Sequence, residues 1–77
     1  MTSAAIYQFR IQGHLSSRWT EAFTGLEIAN QPNGEVILTG LMRDQAELHG
    51  VLMSIRDLNL TLLSVQRLPV ERPAKNF

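Results

Sequence analysis

Two short stretches of this chain carry side chains that could do chemistry. His14, Ser16, Ser17 and Arg18 fall together in one, and Arg43 stands with Asp44 at the head of the other. If each stretch opens a helix, free backbone N–H groups and the positive end of the helix dipole join the basic side chains there. That combination suits a carboxylate or another small anion. The same residues also serve ordinary helix starts, since Ser16 and Asp44 are both good N-caps and arginines beside them are commonly solvated. His14 and His49 are the only histidines, and an acid–base or metal pair would need a carboxylate partner that their surroundings do not supply. They read as a turn residue and a partly exposed helix residue, and no metal or cofactor is expected.

Nucleophiles are equally sparse. The chain has no cysteine, which excludes thiol catalysis and disulfide staples. Ser3, Ser16, Ser17, Ser54 and Ser64 are present, but none sits in a Gly-x-Ser-x-Gly elbow. The glycines stand singly at element boundaries instead of gathering in a phosphate-binding loop. Tyr7, Phe9, Trp19 and Phe23 fall on faces expected to be buried, so they read as core and not as an aromatic binding box. An enzyme is therefore not expected.

The elements that must position these residues follow from apolar periodicity. Ile6 to Gln12 alternates, with Tyr7, Phe9 and Ile11 on one side, and predicts a half-buried strand. Ser16 then caps a helix of about two turns, in which Leu15, Trp19 and Phe23 share a face and Gly25 provides the stop. Leu26 to Gln31 and Glu35 to Leu41 are strands, and Pro32-Asn33-Gly34 between them is a hairpin turn. Asp44 to Glu47 is an acidic form of the capping box, followed by the stripe Leu48, Val51, Leu52 and Ile55. Gly50 within that helix suggests close approach of Trp19 or Phe23, and Asn59 suits the helix end. Leu60 to Leu68 is a final strand with Leu63 and Val65 turned toward the helices.

Strand, helix, strand, turn, strand, helix, strand predicts a ferredoxin-like βαββαβ arrangement, α+β, with a four-stranded antiparallel sheet carrying two helices on one face. The first and third strands take the centre and the second and fourth become edges. The two central strands are expected to run the same way, which would bring both helix starts, and hence His14, Ser16, Ser17, Arg18 and Arg43, to one end of the sheet. Residues 1–69 read as one domain and 70–77 as a flexible C-terminal tail.

Size and charge set the remaining bounds. At 77 residues the chain forms one domain, and a domain near this size buries only about 60% of the surface its unfolded chain exposes. Seven basic residues balance seven acidic ones, leaving no electrostatic footprint for a phosphate backbone. Nucleic acid is not expected as a partner, nor is a membrane, because no apolar run approaches a spanning length. Without a secretory start the protein reads as cytoplasmic.

Apolar residues on the outer sheet face point to association. With Tyr7, Phe9, Ile11, Val36, Leu38, Leu63 and Val65 turned inward, Ile6, Ile37, Leu62 and Leu68 remain outside among Gln8, Arg10, Thr39, Ser64 and Gln66. Single surface aliphatics are ordinary, but several on one face suit a packing surface. The expectation is a non-enzymatic protein-interaction or regulatory module, a homodimer through the sheet or its edges, or bound to another protein. The alternative is a small-ligand sensor, like amino-acid-binding regulatory domains, using the helix starts.

Gly13-His14-Leu15, Arg18-Trp19, Phe23-x-Gly25-Leu26, Leu38-x-Gly40, Asp44-Gln45-Ala46-x-Leu48-His49-Gly50, Ile55-Arg56-Asp57-Leu58 and Leu62-Leu63-Ser64-Val65 together resemble a group of short uncharacterised bacterial proteins. The resemblance covers the body of the chain and omits its ends. It implies a stand-alone domain and carries no activity onto any residue.

Overall fold

The computed structural model describes residues 4–13 and 21–69. Alternating, β-rich segments form four strands: β1 (Ala5–Gln12), β2 (Glu27–Asn30), β3 (Glu35–Met42) and β4 (Thr61–Leu68). They make one sheet in the order β2-β3-β1-β4, with every neighbouring pair antiparallel. The helix α1 (Gln45–Asp57) joins β3 to β4, and a 3₁₀ turn, Glu21–Phe23, precedes β2.

The β2–β3 hairpin is built as its residues dictate. Gly34 N–H donates to Gln31 O at 3.2 Å, and Gln31 N–H donates to Glu35 O at 2.7 Å. Pro32 and Asn33 thus occupy the centre of the turn, and Gly34, with φ +89°, takes the left-handed position that completes a three-residue loop. The Asn33 side chain accepts from Glu35 N–H at 3.1 Å, as an Asx residue in a turn commonly does.

Both ends of α1 are closed by local chemistry. Asp44 is the N-cap and its side chain accepts from Glu47 N–H at 3.0 Å. At the other end Leu58 is the cap, and Asn59, at φ 59°, turns the chain out of the helix. Asn59 N–H donates to Arg56 O and Leu60 N–H to Ile55 O, the paired bonds of a Schellman ending. Arg56 in the last turn complements the negative end of the dipole.

The core lies between α1, the 3₁₀ turn and one face of the central strands. Phe9, Ile11, Phe23, Val36, Leu38, Met42, Leu48 and Ile55 form it, with Tyr7, Leu26, Ile28, Val51, Leu52, Leu58 and Leu60 packed around them. Of the inward set expected for β1 and β3, Phe9, Ile11, Val36 and Leu38 are buried and Tyr7 packs against them, while Ala5 and Met42 are buried besides. Trp19, assigned to the same core, lies outside the described residues, as does the tail 70–77.

Several expectations need correction. The ferredoxin-like βαββαβ arrangement with two helices does not stand, because α1 is the single α-helix among the described residues. Where the first helix was to close, at Glu21–Phe23, the backbone is tightened to 3₁₀; Leu26 N–H donates to Phe23 O and Thr24 Oγ1 to Glu21 O. Second, the central strands β1 and β3 are antiparallel, with Ala5 opposite Met42 and Gln12 opposite Glu35. Third, Gly50 is not a close-approach glycine, for an added Cβ would meet nothing within 4 Å. That role belongs to Gly40, where an added Cβ would collide with Leu26 Cδ2.

The last correction concerns β4. Its pairing with β1 shifts between Arg10 and Ile11, so Val65 opposes Phe9 while Leu62 opposes Ile11 and one residue is left over. Directly opposed residues share a face, which puts Leu62 on the helix side instead of the open side. Leu63 and Val65, expected to be buried by the helices, are 43% and 40% exposed. No residue of β4 joins the core.

Candidate functional site

Two regions of the described structure offer surfaces for function: a cleft at the start of α1 and the sheet's uncovered side with its β4 edge. The cleft exists because β2 is short. Its pairing with β3 stops at Glu27 opposite Thr39, so Gly40, Leu41 and Met42 run on without a neighbour on that side. Leu26 closes over Gly40, with Gly25 O at 3.5 Å from the same point. Between this end of β3, residues 22–26 and the first turns of α1 lies a space of about 400 Å³, walled by Phe23, Leu26, Met42 and Val51. Gly50, without a side chain, leaves its helix wall low.

The polar part of the cleft is Arg43 with Glu47. One oxygen of the Glu47 carboxylate accepts from the Arg43 backbone N–H at 2.7 Å; the other accepts from Nε at 2.9 Å and Nη2 at 2.7 Å. These bonds hold the Glu47 carboxyl below the ordinary carboxylate range and raise the Arg43 guanidinium above its own. Glu47 is thereby poorly suited to take up a proton near neutral pH, and the Arg43 guanidinium is already committed to a carboxylate. Among the described residues no group of three or more His, Cys, Asp and Glu could hold a metal ion.

Of the residues assigned to an anion site, only Arg43 belongs to the described structure. His14, Ser16, Ser17 and Arg18 lie outside the described residues. Gly13, which His14 follows, donates its N–H to Gly34 O at 2.7 Å and so sits at the hairpin end of the sheet. Arg43 follows Met42 at the opposite end. At about 3.4 Å per residue, a strand of this length separates its ends by roughly 24 Å. Adjacent antiparallel strands send their following segments to opposite ends of the sheet, so the shared end expected for the starts of the two segments is not formed. His49 is exposed on α1.

The four residues assigned to an interface divide. Ile6 opposes Leu41 on β3 and Leu68 on β4, so the three form an apolar row across the open face. Ile37 lies on the same face of β3, four residues before Leu41, and Leu62 belongs to the helix side as described above. Leu41, 56% exposed, is the most exposed large apolar residue described and was missing from the expected set. The signal was present, since Ile37, Thr39 and Leu41 continue one alternation. On this face Arg10 Nη1 also lies 3.5 Å from Glu35 Oε1, an ion pair without a hydrogen bond to that oxygen.

Residues 6–66, from the second residue of β1 into β4, match the family described as Domain of unknown function (DUF8691), and the chain belongs to that family. No curated protein and no solved structure matches it. No helix among the described residues is long and apolar enough to cross a membrane.

Proposed function

We propose that this protein is a non-enzymatic interaction or regulatory module whose working form is a homodimer built on its sheet. The observation that carries this reading is the sheet's uneven burial. Among the described residues all buried side chains come from β1, β3, α1 and the 3₁₀ turn, while β4 gives none and the open face keeps the row Leu41, Ile6 and Leu68. A domain of this size has little core to draw on, and association is a common way to bury more. A two-fold pair is the commonest closed form. Sedimentation equilibrium over a broad concentration range tests it: the mass is expected to rise toward twice the 8.7 kDa of one chain. A single-chain mass that persists into the millimolar range would overturn the reading.

One observation favours a second reading, a small-ligand sensor: the cleft beside the start of α1. Its apolar wall and the Arg43–Glu47 pair would suit a zwitterionic molecule with an aliphatic body, such as an amino acid. Ligand that binds the folded state raises the melting temperature by mass action. A rise with free amino acids, abolished by Val51→Trp, would support the sensor, and no shift at millimolar ligand would remove it.

A further inference from the structure

We infer that β4 is the dimer seam, pairing antiparallel with β4 of a second copy across a two-fold axis perpendicular to the sheet. The inference deepens the homodimer reading and rests on it. β4 is an edge strand of eight residues, longer than the opposite edge β2 with four. Alternate residues of this edge turn their backbone N–H and C=O groups away from β1, and a long apolar edge of this kind is a template for another strand. The usual devices against such pairing are thin here, for the strand contains no proline or lysine and its only charge is Arg67. The bulge near Leu62 is the one protective feature.

The occupant follows from the strand's own pattern. Leu62, Leu63 and Val65 are 37%, 43% and 40% exposed, and Val65 and Leu62 stand on the helix side opposite Phe9 and Ile11. A second β4 laid alongside brings the same strip against itself and covers it between the two α1 helices, so one surface is its own complement. Charge agrees. Arg67 lies on the helix side, opposite Tyr7, near one end of the strand, and Asp57 closes α1 shortly before the other end. Antiparallel pairing carries each Arg67 to the end that its partner's Asp57 precedes, where the carboxylate already accepts from its own Arg56 at 3.2 Å through one oxygen, and keeps the two Arg67 side chains apart.

Symmetry also limits the register. A two-fold axis perpendicular to the sheet leaves helix side next to helix side, and because sides alternate along a strand, the axis must fall where a residue opposes its own copy. The middle of Thr61–Leu68 lies between Ser64 and Val65, so the register with the greatest strand overlap, the one taken for this seam, puts one of these two on the axis.

The absence of cysteine makes the test direct. Ser64→Cys and Val65→Cys are each oxidised mildly at a concentration where the wild type is dimeric, beside Ala29→Cys on the β2 edge and Gln8→Cys on the open face. Opposed residues in an antiparallel pair have Cα atoms about 4.5–5.5 Å apart, inside the disulfide range of about 4.4–6.8 Å. One residue off the axis, the self-distance grows to roughly 8 Å, beyond it. The expected result is near-complete cross-linking at one of Ser64→Cys and Val65→Cys and little at the other three positions. A dimeric wild type that cross-links at Ala29→Cys, at Gln8→Cys, or at neither β4 position overturns the seam and leaves the homodimer standing. A monomeric wild type overturns both.

Discussion

Gly40 and Gly50 show how much hangs on a single missing side chain. The sequence reading assigned the close approach to Gly50, and the fold gives it to Gly40: Leu26 occupies the place a Cβ would take on Gly40, while the same atom on Gly50 would meet open space. Gly40→Ala is therefore expected to destabilise by about 1–3 kcal/mol, as overpacking does. Gly50→Ala should stabilise by about 0.5–1 kcal/mol through lower unfolded-state entropy and better helix propensity. Urea denaturation of the two variants checks this, and a loss of stability in Gly50→Ala would refute the cleft geometry. Glu47 supplies the pH dependence. Its folded carboxyl is held down by Arg43, so its contribution is fully present above the ordinary value of about 4.3 and is lost as pH falls through the lowered one. Over that interval the unfolded chain binds more protons, and stability falls with acid. Denaturation midpoints followed from neutral to acid pH should drop less steeply in Glu47→Gln than in the wild type; parallel curves would dissociate Glu47 from Arg43. The cap that Asp44 places on Glu47 N–H was legible from their spacing, whereas the hold of the Glu47 carboxylate on the backbone and guanidinium of Arg43 depended on side-chain conformation that spacing does not specify.

Among the elements, those with their own start and stop chemistry were the most legible. α1 is bracketed by Asp44 and Asn59, and the hairpin by Pro32 and Gly34; each of these residues does its work through local backbone angles that the residue type itself favours. Asp44→Ala is expected to lower stability by about 0.5–2 kcal/mol, and amide exchange should quicken first at the start of α1, with β1 unchanged. A uniform change across the molecule would point away from the cap. The segment ending at Phe23 was less legible. Leu15, Trp19 and Phe23 share a helical period, yet the last turn before Gly25 tightens to 3₁₀, and periodicity at four residues does not distinguish the two closures there. β4 failed for a different reason. Consecutive leucines carry no alternation to read, and the bulge between the partners of Arg10 and Ile11 moves Leu62 to the helix side without any sequence mark.

At the scale of the whole molecule, burial by alternation was read correctly for the central strands, because β1 and β3 meet the core on one face only and their inward residues are continuous with it. Relative strand direction was not: local patterns say where a strand lies but the direction of its neighbour is settled by which connections cross over the sheet. What the sheet leaves unburied carries the functional reading. An edge strand that adds nothing to its own core, yet holds Leu62, Leu63 and Val65 at its surface, is where the second copy proposed above would complete the burial. The most direct measurement is amide exchange along Thr61–Leu68 in dilute and concentrated solution, with β3 as the internal reference. The account predicts that β4 amides turned away from β1 slow markedly as concentration rises while those of β3 stay constant. Exchange along β4 that is the same at both concentrations would contradict it.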